Sequence, residues 1–275
     1  MAESGATRML LRLATVLTLA FIYLPLVVIA LYAFNENVTQ GWPIDRFSTR
    51  WFSVAWEDER VRDALWLSLQ AAVGATAISI VLGTLLSLAV SRYRFFGRET
   101  ISFLVVLPIA LPGIITGLAL QATYENVGIA FGLLTIIVGH ATFCIVVVYN
   151  NALARLRRLA GSFEEASADL GADSWQTFRY VTFPELRTAL LAGALLAFAL
   201  SFDEVVVTIF TSGAQQTLPI WIFANLSRPA ELPVVNVVAV VVILLSIIPV
   251  WIAQRLTHQP TGVGGTAAAA AGARQ

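Results

Sequence analysis

Long uncharged runs alternate along this chain with short segments that hold nearly all its charge. Residues 13–34, 64–91, 100–124, 127–153 and 232–254 contain no Asp, Glu, Lys or Arg, and 188–211 contains only Asp203 and Glu204. A helix needs about 20 mostly apolar residues to cross a bilayer. The pattern therefore predicts six spanning helices, at 11–34, 64–91, 100–124, 127–153, 188–211 and 232–254. The predicted fold class is all-α and polytopic. Polar segments 35–63 and 155–187 lie between them, and 1–10 and 257–275 flank them. The first run exceeds the 7–15-residue apolar core of a signal peptide and no small-x-small cleavage site follows, so it reads as a retained helix.

Charge placement gives this pattern a direction. The chain is 58% hydrophobic and 12% charged, with zero formal net charge. All its basic residues are arginines. Arg8, Arg12, Arg92, Arg94, Arg98, Arg155, Arg157, Arg158, Arg179, Arg187, Arg255 and Arg274 fall in one alternating set of segments. Arg46, Arg50, Arg60, Arg62 and Arg228 fall in the other. Arginine-rich segments stay in the cytoplasm, so both termini and the 155–187 segment are expected there. The 35–63 loop is then expected outside, with Trp42, Trp51, Trp56 and Trp66 in an interfacial belt. Neutral net charge points away from nucleic acid. A phosphate-binding loop needs its lysine, so this chain carries none. The single cysteine, Cys144, cannot form an internal disulfide. The Gly-, Ala- and Pro-rich tail 257–275 reads as disordered.

The segment 162–187 is patterned rather than merely polar. Ser162 with Glu165 reads as a capping box opening a short helix through Leu170. Gly171 can take the left-handed conformation that ends it. Asp173 or Ser174 then caps a second helix, from Trp175 to about Val181. Pro184 stops that helix and opens the next, where its missing N–H matters little. Thr182 with Glu185 forms a second possible capping box. Two short helices at a sharp bend are expected, with Ala166 and Ala168 small enough for another protein to approach closely.

Asp203 and Glu204 sit inside an otherwise apolar run, where each charge costs about 2.5–3.5 kcal/mol on insertion scales. Ser201, Glu204, Thr208 and Thr211 fall at helical spacing and predict a polar stripe. That stripe faces either a pathway for a cation or a neighbouring subunit. Pro108 and Pro112, four apart in the third run, each remove a backbone hydrogen bond. They predict a kink, either a moving gate or a fixed bend. Gly113 and Gly117 form a small face for close helix packing. His140 and Cys144 have metal-ligand spacing, but two ligands make no site, so helix packing is expected. Asn150 and Asn151 are expected to hydrogen-bond between helices. The acidic 35–63 loop reads as solvated or as a contact for a binding protein. Thr217–Phe223 ("TLPIWIF") reads as an interfacial or re-entrant segment.

The segment resembles the EAA motif of bacterial ABC-importer permeases. Glu165-Ala166-Ser167 is followed by three residues, Gly171, nine residues and then Val181-Thr182-Phe183-Pro184. The spacing of Glu-Ala-Ala, Gly and Ile-x-Leu-Pro is kept, with Ser, Val and Phe as substitutes. "YAFN", "LPIALPGIITGLAL", "GHATFC" and "ALSFDEVVVTIFTSG" are similar to the spermidine/putrescine-type permeases, most of all their C-type partner. The resemblance implies a methionine-importer-like permease fold in the bacterial inner membrane. It also implies a heterodimer with a second permease, two copies of a cytoplasmic ATPase subunit holding the ATP and Mg, and a periplasmic substrate-binding protein. This chain would then be non-catalytic and bind no cofactor. Glu165, Ala166, Ser167, Gly171, Val181 and Pro184 would couple it to the ATPase. Asp203, Glu204, Ser201 and Thr208 would line the path of a small cation, with Pro108 and Pro112 at the gate. The alternative is a secondary transporter using Asp203 and Glu204 as ion-coupling carboxylates.

Overall fold

A computed structural model describes residues 5–159 and 161–257. The apolar runs become α1 (Gly5–Ala33), α3 (Glu59–Arg92), α6 (Leu133–Arg158) and α12 (Leu232–Thr257), with α2 (Arg50–Glu57) inside the first long loop. The third run divides into α4 (Arg98–Ala110) and α5 (Gly113–Val127), and the fifth into α9 (Phe183–Phe202) and α10 (Val206–Thr211). Short helices α7 (Ser162–Asp169), α8 (Ser174–Thr177) and α11 (Leu218–Asn225) complete the fold. Apart from an isolated bridge between Asn35 and Phe47, the regular secondary structure among the described residues is helical.

By length and composition four helical stretches can cross a membrane: Thr7–Ala33, Glu59–Arg92, Leu133–Arg158 and Ser174–Phe202. The α4–α5 pair makes a fifth span if taken together, although its halves meet at 103°. The sixth expected span falls on α12, whose described apolar part, Leu232–Ile247, is shorter. The tail from residue 258 and the first four residues lie outside the described part.

The 103° break replaces the kink expected from Pro108 and Pro112. Pro108 is carried in the last turn of α4, while Pro112 sits at the N-cap of α5 and has no N–H to continue the helix. The residue before a proline is pushed to extended backbone, and Leu111 has φ −82° and ψ 145°.

The centre is α3 packed on α6, with α9 against both. Its buried face on α3 is built from small residues four apart: Ala71, Ala75, Ser79, Gly83 and Ser87. Backbones can therefore approach closely, since a Cβ added at Gly83 would lie 3.0 Å from Tyr149 N. Gly193 on α9 makes the same approach, 3.2 Å from Val148 Cα. A second core forms at the other end, where Trp51, Val61, Leu218, Trp221 and Val237 bring α2, α3, α11 and α12 together. Trp51 is thus not part of an exposed belt. It is buried and donates its indole N–H to Asn35 O at 2.9 Å, whereas Trp42, Trp56 and Trp66 are exposed. Asp58 caps α3, and the Arg60 guanidinium bonded to it holds its carboxyl below the ordinary value.

Candidate functional site

The acidic pair lies at a helix break, not within a helix. α9 ends at Phe202, Asp203 has φ −98° and ψ 6°, and α10 begins at Val206. Glu204 Oε1 accepts the Val207 N–H at 3.0 Å and so satisfies a free donor at the start of α10. Asp203 is exposed and opens on a groove of about 280 Å³ whose other walls include Phe202, Leu218, Ile222 and Phe223. Among the described residues neither acid pairs with an arginine. A carboxylate against apolar and aromatic walls offers charge to an ammonium group and contact to the methylenes beside it.

The polar stripe does not form. With the helix broken, Ser201 and Thr208 turn inward and are buried, as is Thr211. His140 on α6 stands between them, with Nδ1 at 2.8 Å from Ser201 Oγ and Nε2 at 2.8 Å from Thr208 Oγ1. The Thr208 hydroxyl already donates to Glu204 O at 2.8 Å. It therefore accepts from His140 Nε2–H, and in the neutral ring Nδ1 is then the acceptor of the Ser201 O–H. One ring thus joins the last turn of α9 to the first turn of α10. Two further contacts from α6 brace the same halves: Cys144 Sγ to Ala197 O at 3.3 Å, and Thr135 Oγ1 to Thr211 O at 2.7 Å. His140 is buried between helices as expected, and its ring in addition bonds both halves of the break like a clasp. No metal-holding cluster of His, Cys, Asp or Glu occurs among the described residues.

The surface bend takes a different local form from the expected one. Gly161, not Ser162, is the N-cap of α7, and its carbonyl accepts from Glu164 N and Glu165 N. The Ser162–Glu165 capping box is therefore absent. Gly171 has φ +84°, the left-handed turn expected of it, and nothing lies within 4 Å of where its Cβ would be. Asp173 caps α8 through Gln176 N at 2.8 Å, and Gln176 Oε1 returns the bond to Asp173 N at 2.9 Å. Pro184 lies in the first turn of α9, as expected, but does not stop the helix before it. The turn Phe178–Thr182 widens, with Phe183 N–H donating to Phe178 O, and α8 flows into α9 as one 29-residue stretch. The wide turn removes the demand for the N–H that proline lacks. The second capping box is also absent, because Thr182 Oγ1 donates to Glu164 Oε1 and Glu185 pairs with Arg155. Glu165, Ala166 and Gly171 are exposed, Ser167 and Val181 are half-buried, and Ser167 meets Thr177 at 3.0 Å. Asn151 bonds within its own helix, to Val147 O, rather than between helices, and Asn150 is exposed.

Residues 76–259 match the family of binding-protein-dependent transport system inner membrane components. The chain belongs to that family. It is 34% identical over 235 residues to the putrescine transport system permease PotI of Escherichia coli, covering 81% of this chain and 82% of PotI. It is 30% identical over 241 residues to the spermidine/putrescine transport system permease PotC of Haemophilus influenzae, covering 87% and 93%. A bacterial ABC transporter of alginate shares its fold, with TM-score 0.66 at 20% identity over 93% of this chain and 99% of that one. The MetNI methionine ABC transporter shares it too, with TM-score 0.59 at 20% identity over 71% and 93%.

The chain is thus a multi-pass membrane permease of type-1 importer fold. Membership in this family sets aside the secondary-transporter alternative. Two features of the site went unread in the sequence. The histidine clasp needs the helix break, whose only local sign was a charged pair in an apolar run. The small-residue face of α3 was readable as Ala, Ser and Gly every four positions, but its stripe was overlooked beside the shorter one at Gly113 and Gly117.

Proposed function

We propose that this permease forms one half of an ATP-driven importer and passes a small cation, a polyamine such as putrescine or spermidine, through alternating access. The observation that carries the substrate class is Asp203: an exposed carboxylate at a helix break, beside Phe202 and Phe223, that pairs with no arginine among the described residues. A flexible diamine matches that surface with its ammonium on the carboxylate and its methylenes on the rings. Putrescine and spermidine, for which PotI and PotC are named, agree with this class.

In this reading the arginine-rich end lies in the cytoplasm of a cell with an inner membrane. The α7–α8 bend, with Glu165, Ala166, Ser167, Gly171, Val181 and Pro184, meets a separate ATPase subunit present in two copies. A second permease completes the pathway, and a periplasmic binding protein delivers the cation. The chain binds no ATP or Mg itself. ATP-driven closure of the ATPase pair pushes the bend, and α8 passes the movement into α9 because the two are continuous. The bend between α4 and α5 at Pro112 gives the pathway a wall that can change angle.

The test is uptake of labelled putrescine and spermidine by the organism that carries the gene, before and after its deletion, with the gene restored on a plasmid. The proposal expects loss of uptake of at least one of the two and recovery with the plasmid. Unchanged uptake of both overturns the polyamine assignment.

A further inference from the structure

One carboxylate at the arginine-rich end touches three elements. Glu164, in the first turn of α7, places Oε1 2.8 Å from Arg92 Nη2, the last residue of α3. The same oxygen accepts the Thr182 hydroxyl at 2.8 Å, at the wide turn that opens α9. Both members of the ion pair are three-quarters covered, with side-chain exposures of 24% and 23%. Thr182 itself is buried. A cleft of about 490 Å³ beside the junction is walled by Leu88, Arg92, Ala168, Trp175 and Phe178. The bend therefore does not hang from α9 alone.

We propose that Arg92, Glu164 and Thr182 form a latch that transmits movement of the α7–α8 bend into α3 as well as α9. This rests on the reading of the bend as the ATPase contact. The reasoning is mechanical. α8 is continuous with α9, so a push on α8 reaches α9 through the backbone. α7 is not helically continuous with α8, because Gly171 at φ +84° breaks the helix between them, and Ser167 meets Thr177 across that break at 3.0 Å. The carboxylate of Glu164 adds a direct tie from α7 to the end of α3 and to the turn that opens α9. α3 and α9 pack on each other and on α6, so a latch tying their ends at one oxygen makes them move together. Arg92, Glu164 and Thr182 are positioning residues in this scheme: none touches substrate, and their effect is on the ratio of ATP hydrolysed to cation imported.

Charge exchange tests it. The variants Arg92→Glu, Glu164→Arg and the double exchange are measured in the assembled importer in proteoliposomes, reading import and ATP hydrolysis together. The hydroxyl of Thr182 can accept from an arginine at 164 as readily as it donates to a glutamate, so the exchanged junction keeps all three members. Each single variant is expected to cut import about tenfold and raise ATP used per cation severalfold, and the double exchange is expected to restore at least half of the import. Wild-type coupling in the single variants, or a double variant no better than the worse single, overturns the latch. If the reversals do not reach the membrane, Glu164→Gln and Thr182→Val carry the test. A twofold or greater rise in ATP per cation supports the latch, and any smaller rise contradicts it. Copper-phenanthroline oxidation of Ala168→Cys against a cysteine introduced on the ATPase subunit, cross-linking the two thiols as a disulfide, separates the two levels, since native Cys144 is buried. Cross-links with normal coupling in the latch variants sink the latch alone. Absence of cross-links sinks the reading of the bend.

Discussion

His140 Nε2 lies 2.8 Å from Thr208 Oγ1, and that hydroxyl donates onward to the carbonyl of Glu204. The ring holds the far side of the break through Ser201. A phenylalanine offers no polar atom, so His140→Phe leaves the buried Ser201 hydroxyl without this partner, at about 1–3 kcal/mol, while Thr208 keeps its bond to Glu204 O. The expected outcome is import with a raised KM at reduced membrane level. Gln has both a donor and an acceptor, so His140→Gln is expected to recover KM at least in part. Uptake kinetics with level measured by immunoblot decide it, and an unchanged KM in His140→Phe contradicts the clasp.

Asp203 and Glu204 should separate by role. Glu204 caps α10 through Val207 N, and replacing a cap by alanine costs about 0.5–2 kcal/mol. Glu204→Ala is expected to lower the amount of folded protein, and Glu204→Gln, which keeps an acceptor, to restore it. Asp203 makes no such bond among those described, so Asp203→Asn is expected to hold its level and raise KM for the cation about tenfold. Equal levels and equal kinetics in all three variants would remove both roles.

Gly117 on α5 faces the ring of Phe210 on α10, with no room for a Cβ. A larger residue there forces the helices apart, and overpacking of this kind costs about 1–3 kcal/mol. Gly117→Val is expected to reduce thermal stability of the detergent-solubilised protein by several degrees. Gly97, where nothing lies within 4 Å, gives a contrast in space, although its φ of +83° brings backbone strain of its own. Steric crowding at Gly117 is therefore best isolated by pairing it with Phe210→Ala, which should restore part of the loss.

Much of this architecture was legible because apolar runs must become helices when they cross lipid. The bend at Gly171 was legible for a similar reason: a glycine after a short capped helix has one common use. The breaks were harder. Pro108 and Pro112 predict a kink because proline in an apolar run is compatible with a bend or a full break, and here Leu111 is extended before Pro112 and the helix breaks. The break at Asp203 was missed because period counting assumes an unbroken helix; once it breaks, Ser201 and Thr208 face His140 rather than a path. The box at Ser162 failed by a single position, since Gly161 took the cap. Thr182 and Glu185 bonded to distant residues, Glu164 and Arg155, which local spacing does not reveal.

In the proposed mechanism the α7–α8 bend conveys ATP hydrolysis to the helix that carries the acidic break. Gly171→Asp tests it most directly. Its φ of +84° is strained for a residue with a Cβ, by about 1–2 kcal/mol, and the new carboxylate sits on the exposed contact face. The measurement is labelled putrescine imported per ATP hydrolysed, in proteoliposomes holding the permease pair, the ATPase and the binding protein. The variant is expected to assemble and hydrolyse ATP while import per ATP falls at least tenfold. Import per ATP equal to that of the unaltered protein would contradict it.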